Sequence, residues 1–320
     1  MNYADAAQPL ASEARRSFGL RAFRRLLRRP LAVIAVAIIV FVYATGLLAP
    51  AVAPYGFNEA EFGHGFAAPN VDHPLGTDRL GRDLLSRAMW SAQTTVIVSV
   101  AVVGTGGLPI GLSLGMLAGY AGGRTDNLVM RAGEILSSVP TILLVIIIRA
   151  TLQDRWTELF HNIEDLTHFP GLVSSGAPSI VLIFGALSIF SWFGMARLVR
   201  SQVLALRESA YILAARASGA SVWRILFGHL LPNLTNLVIV VVTLSLGSAA
   251  LAEIGLTFLG IGVQPPHPSF GTMIFEGSGL SNIRNHPQLM LVPAVVVGLL
   301  LLSFNLLGDA LTDILSPRRR

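Results

Sequence analysis

The sequence predicts an all-α integral membrane protein with six transmembrane helices, and three observations carry that reading. The 320 residues are 53% hydrophobic and only 13% charged, with a mean hydropathy of +0.65; an ordinary soluble domain carries about 25% charge. Six apolar stretches, at 31–49, 94–118, 128–148, 179–199, 234–259 and 289–307, are each long enough to cross about 30 Å of hydrocarbon. The arginines, finally, are distributed with a bias. Those at 15–29, 124, 200–224 and 318–320 fall on one side of a six-span topology, and Arg79, Arg82, Arg87, Arg155 and Arg284 on the other. The positive-inside rule places the first group, and both termini, in the cytoplasm.

Taken in order, residues 1–30 form a basic cytoplasmic tail, whose part from Phe18 to Arg29 fits a basic amphipathic helix on the inner surface. The apolar run 31–49 is too long, and its lead too extended, for a cleaved signal peptide, so it is expected to stay as the first span. Residues 50–93 form an extracytoplasmic loop. A five-helix core follows at 94–315, with an outer insertion at 149–177 and a polar segment at 207–232, before a basic tail at 316–320. In the loop, Arg79–Asp83 and Asp83–Arg87 are spaced i,i+4, which predicts a short charge-laced helix with Asp78 as its N-cap.

Composition also excludes functions. The chain has no cysteine and no lysine. Thiolate chemistry, a Schiff base and the phosphate-binding lysine of a P-loop are therefore all missing. Any ATP is hydrolysed by another polypeptide, and no cofactor or metal is expected. The arginine clusters flank apolar runs, which argues for the membrane surface and against nucleic acid. Gly111-Leu112-Ser113-Leu114-Gly115 matches the spacing of a hydrolase nucleophile elbow, but it lies inside an apolar helix, and no span supplies a histidine base. No catalytic residue is expected.

Five constellations remain. Gly107, Gly111, Gly115 and Gly119 recur every fourth residue in the second span, a stripe that allows close helix packing in lipid. Glu253 lies toward the outer end of the fifth span, either lining a pathway or snorkelling to the interface. His161, Glu164, Asp165 and His168 in the insertion could share one helical face as a metal patch, or belong to an exposed amphipathic helix, the reading adopted here. Glu134 and Arg131 could pair at i,i+3 near an inner boundary.

The fifth is Tyr211–Asn233, YILAARASGASVWRILFGHLLPN. Wound as one helix, it puts Ile212, Ala215, Gly219, Val222 and Leu226 on one face. Such a segment either lies on the membrane as a linker or docks into a partner. Ala214-Ala215, then Gly219, then Leu231-Pro232 resembles the EAA signature of the membrane subunits of ABC importers, with Leu213 in place of the glutamate and His229 in place of an isoleucine. HPLGTDRLGRDLLSR at 73–87, GTMI at 271–274 after Gln264-Pro265-Pro266, and LLSFNLLGDAL at 301–311 are similar to the permeases of the dipeptide, oligopeptide and nickel branch, in particular the C-type permease of the pair. Phe270 stands where a tryptophan is often seen. The resemblance covers 31–316 apart from 149–177.

That resemblance implies the type I importer architecture, with Ala214, Ala215, Gly219, Ala220, Val222, Leu231 and Pro232 as the surface that docks on the ATPase. It also implies a heterodimer with a second permease, two ATP-binding subunits, an extracytoplasmic substrate-binding protein, and residence in a bacterial inner membrane. Di- or oligopeptides are the expected cargo, with nickel as the alternative. An ion-coupled secondary transporter would call for inverted repeats, which the sequence does not display.

Overall fold

The computed structural model describes residues 22–315, except 62, 169, 170 and 175. The tails at 1–21 and 316–320 lie outside the described residues, so of the amphipathic helix expected at 18–29 only 22–29 can be placed, and of these 22–27 are helical. Among the described residues the chain is helical with no strand beyond one isolated bridge, Thr77 to Asp83. The helices are α1 Pro30–Leu47, α2 Leu84–Val102, α3 Pro109–Ala121, α4 Gly123–Ser138, α5 Thr141–Thr167, α6 Ala177–Leu206, α7 Ala210–Ala217, α8 Leu231–Phe258, α9 Phe270–Gly277, α10 Leu280–Asn285 and α11 Gln288–Leu315. A π turn at Val103–Gly107 joins α2 to α3, and a second at Arg224–Leu230 leads into α8.

Five helical units are long and apolar enough to span a bilayer, and a sixth is α4 with α5, bent by 81° at their junction. The third span expected at 128–148 is thus broken. Pro140 has no N–H to continue the ladder, and it disfavours helical backbone at Val139, which sits at ψ 131°. The partners on α6 show that the pair still follows one path. Asp126 pairs with Arg200, Gly133 lies against Phe193, and Gln153 reaches Ser179 at 3.4 Å. Numbers rise along one and fall along the other, as for two antiparallel spans, which gives six spans in all. The second span begins at Leu84 rather than 94, so the preceding loop is ten residues shorter than expected. Asp83 stops it: its Oδ2 accepts from the Ser86 N–H and hydroxyl, both at 2.7 Å.

The glycine stripe brings two helices into backbone contact. A Cβ on Gly111 would stand 2.6 Å from the Trp192 carbonyl oxygen, on Gly115 2.6 Å from that of Ala196, and on Gly119 2.8 Å from Val203 Cβ. All three meet α6 of the same chain. Gly107 is looser, at 3.7 Å from Ser191 Oγ; the π turn shifts the register, and Gly106 makes the approach instead, 2.2 Å from the Ser188 carbonyl oxygen. Ser113 sits within α3, away from any strand-to-helix turn.

Three apolar clusters fill the bundle. One gathers Val42, Leu84, Ile254, Phe270 and Phe304 near the loop 53–83. A central one holds Val102, Val145, Leu187 and Ala249. The third, around Met116, Val199, Val203, Ile212 and Leu230, lies at the opposite end. Arg29 Nη1 donates to Asp313 at 2.7 Å, tying the start of α1 to the end of α11.

Gly115→Leu forces a side chain into a backbone carbonyl, so the variant should lose ~1–3 kcal/mol of stability. Gly298→Leu meets nothing within 4 Å of its Cβ and should be near neutral. Thermal unfolding of the two variants in detergent tests this, and equal midpoints would contradict it.

Candidate functional site

The segment expected to dock on a partner is a helix, a glycine turn and a second helix, where the sequence suggested a single helix. α7 ends at Ala217. Gly219 then adopts φ +76°, a left-handed conformation that costs glycine little, with its N–H on the Arg216 carbonyl at 2.9 Å. Ala220 N–H returns to Ala215 O at 3.0 Å, closing the helix end. A Cβ on Gly219 would meet nothing within 4 Å. The residue is therefore demanded by backbone geometry at an exposed turn, rather than by lack of room within this chain.

The break reverses part of the expected face. Ile212 and Leu226 point inward: Ile212 is 0% exposed, and with Ile225 and Leu230 it packs on Met116, Val199 and Val203. Ala215 and Ala220 are half-buried against the same core, as are Leu231 and Pro232 at the start of α8. Ala214, Gly219 and Val222 face out. Beside them the sequence reading missed the larger features of the surface, Tyr211, Leu213, Trp223 and Phe227. Trp223 is 68% exposed and stacks on Phe227 with centroids 5.8 Å apart. Their i,i+4 spacing was the available signal. Arg216 closes the other side, with its guanidinium 4.6 Å from the Tyr120 ring centroid and Nε donating to the Tyr120 hydroxyl at 3.2 Å. The result is an apolar, aromatic surface held rigidly from behind.

Glu253 fits neither sequence-based alternative. It is 0% exposed, so it reaches neither an open pathway nor interfacial water. Ser269 donates to its Oε1 at 2.6 Å, Thr257 to the same oxygen at 3.1 Å, and Thr95 to Oε2 at 2.9 Å. Ser269 is also the N-cap of α9, in a capping box with Thr272. One carboxylate thus ties α2, α8 and α9 together. Hydroxyls distant in sequence satisfy it, which removes much of the penalty of burying a polar group.

The loop 73–83 contains turns where a charge-laced helix was expected. Asp83, rather than Asp78, caps the helix, and its other oxygen lies 3.1 Å from His73 Nδ1. Asp78 pairs with Arg82 at 2.6 Å and Arg87 at 2.5 Å, and both arginines continue to Glu276 of α9, at 3.2 and 2.6 Å. In the insertion, α5 runs on to Thr167. Glu164 accepts from the Gly171 and Val173 N–H groups at 2.8 and 2.9 Å, folding the chain back toward α6. Among the described residues no three His, Asp or Glu side chains are placed to hold a metal ion, so the patch of His161, Glu164, Asp165 and His168 does not form a centre. Arg131 and Glu134 do approach, at 3.9 Å on an exposed face.

Truncating Glu253 to alanine strands three hydroxyl groups, each at ~1–3 kcal/mol if left unsatisfied. Glu253→Gln keeps the shape and one carbonyl acceptor, so it should be milder. The expected order of unfolding midpoints is parent, then Glu253→Gln, then Glu253→Ala; an unchanged midpoint for Glu253→Ala would refute the structural role.

Residues 111–320 match the sequence profile described as binding-protein-dependent transport system inner membrane component, and residues 17–69 match the N-terminal transmembrane domain of oligopeptide transport permease C. The chain is 33% identical over 304 residues to the dipeptide transport system permease protein DppC of Bacillus subtilis, covering 95% of this chain and 87% of that one. It is 33% identical over 299 residues to the oligopeptide transport system permease protein OppC of Mycobacterium tuberculosis, covering 93% and 94%. With the glutathione transport system permease protein GsiD of Pectobacterium atrosepticum it shares 34% identity over 297 residues, 92% and 90% of the two chains. With one profile covering about two thirds of its length and relatives aligned almost end to end, this chain belongs to the family of inner membrane components of binding-protein-dependent transport systems.

Proposed function

We propose that this chain is one of two permease subunits of an ATP-driven importer of di- and oligopeptides, enclosing half of the pathway. The observation that carries the reading is the 211–227 surface. Aromatic and aliphatic side chains are exposed there on a segment whose reverse side is locked into the core. Apolar area presented on a rigid, compact element suits a groove on a partner. The ATP-hydrolysing subunit is the partner assigned to it, since the chain has no lysine for a P-loop of its own. The relatives named for dipeptide, oligopeptide and glutathione transport support peptide cargo over nickel.

The end of the bundle bearing 211–227 is assigned to the cytoplasm, with both termini. The end bearing 53–83, α9, α10 and the insertion is assigned outside, where a substrate-loaded binding protein docks. Two ATPases closing on ATP would displace the 211–227 surfaces of the two permeases. α7 and the π turn at 224–230 are bolted to α6 through Ile212, Ile225 and Leu230, and α6 to α3 through the glycines. Displacement therefore travels as rigid-body rocking of packed helices, exposing the pathway to alternate sides.

Trp223→Ala with Phe227→Ala removes exposed anchors and leaves the core untouched. Truncating such anchors typically weakens association by ~2 kcal/mol or more, so the variant should insert normally while binding of the ATPase and peptide-stimulated ATP hydrolysis fall. Normal coupling would reject the docking role. Topology is tested separately in intact cells: Val71→Cys and Asn162→Cys should react with a membrane-impermeant thiol reagent, and Ser218→Cys should not. Labelling of Ser218→Cys would invert the orientation.

A further inference from the structure

Halfway along the bundle lies a cavity of about 230 Å³, lined in part by Gly107, Thr141, Phe190, Ser191, Ser245 and Ser248. No side chain that lines it carries a charge. Its level follows from the helices. Ser245 and Ser248 are at the middle of the 28-residue α8, Ser191 is midway along the 30-residue α6, and Gly107 falls within the long second span. Two irregularities of the bundle converge here, since Gly107 ends the first π turn and Thr141 opens α5 just after the 81° bend. Interrupted backbone at membrane depth persists where it is buried in protein or lines a cavity, and broken spans are where transported solutes bind.

We propose that Thr141, Ser191, Ser245 and Ser248 form a charge-free contact site for the main chain of the translocated peptide. The inference rests on the importer reading above. Donor and acceptor roles support a preference for N–H groups. Ser248 Oγ donates to the Leu244 carbonyl at 3.1 Å and Ser191 Oγ to the Ser188 carbonyl at 3.0 Å. With its proton committed to its own helix, each hydroxyl keeps lone pairs for an incoming donor. A peptide offers such donors at every residue except proline, whatever its other side chains. Glu253, the one ionisable residue of α8, is enclosed elsewhere by Thr95, Thr257 and Ser269. The site therefore reads the feature that all peptides share and ignores side-chain charge, which suits a pathway serving many sequences.

The test uses the complete transporter, with its partner subunits, in liposomes. Because this chain has no cysteine, Ser248→Cys gives it one defined thiol. A positively charged, water-soluble methanethiosulfonate reagent should modify it, several-fold more slowly when a tripeptide and its binding protein are present during turnover. Ser248→Asp places a carboxylate in the site and should shift the uptake ratio of a cationic to an anionic tripeptide by about tenfold, a difference of ~1.4 kcal/mol. Ser248→Asn, similar in size and uncharged, should leave that ratio unchanged. A thiol that stays unreactive in every nucleotide state would mean that the face packs against the second permease, and the assignment falls. An unaltered ratio for Ser248→Asp in a complex that still transports rejects the site alone. Failure of the parent complex to take up any peptide rejects the importer reading, and the site with it.

Discussion

The backbone contact between α3 and α6 is the constraint on which the rest of the bundle depends. Lipid gives two apolar helices no hydrophobic reason to associate, so the contact must come from packing at short range. Gly106, Gly111, Gly115 and Gly119 allow it by presenting no Cβ to the Ser188, Trp192, Ala196 and Arg200 carbonyls. The same approach sets the position of Met116 and Val203, and hence the floor on which Ile212 and Leu230 seat the 211–230 segment. It also explains the π turn. Inserting one extra residue per turn at Val103–Gly107 changes which glycine faces α6, so the stripe continues toward the other end with its register shifted by one.

At that other end the helices are joined by buried polar groups. Glu253 gathers hydroxyls from α2, α8 and the cap of α9. Asp78, Arg82 and Arg87 link the loop to Glu276 at the end of α9. Groups of this kind add modestly to stability but are demanding in geometry, since a buried polar atom left unpaired is expensive. They fix where α9 sits against α2 and α8. The two ends thus differ in balance: an apolar cluster edged by the Asp126–Arg200 and Arg29–Asp313 pairs at one, and directional bonding around Glu253 and Asp78 at the other.

Much of this was legible in the sequence, for identifiable reasons. Spans are dictated by apolar length, so four of the six were placed closely, while the start of α2 and the break in the third span were missed. Its first three turns, Leu84 to Gln93, contain an arginine, two serines and a glutamine and read as polar, although Ser86, Arg87 and Ser91 are buried. The glycine stripe was visible from its period. Its partner was not, because period names a face without naming what covers it.

The sequence alone determined that the chain is a helical membrane protein with neither a thiol nor the lysine of a P-loop; the breaks in its third span and in the 211–230 segment emerged only in the structure. The properties read from sequence are local: they follow from apolar length and from absent residue types. Which apolar residues are buried and which are exposed was decided only by the tertiary structure. Ile212 and Trp223 are both apolar and both lie in the 211–227 segment, yet the turn at Gly219 buries the first and exposes the second. Glu253 shows the same limit. Its neighbours Thr95 and Ser269 are 158 and 16 residues away along the chain, and only their meeting in space turns a costly membrane carboxylate into a structural tie.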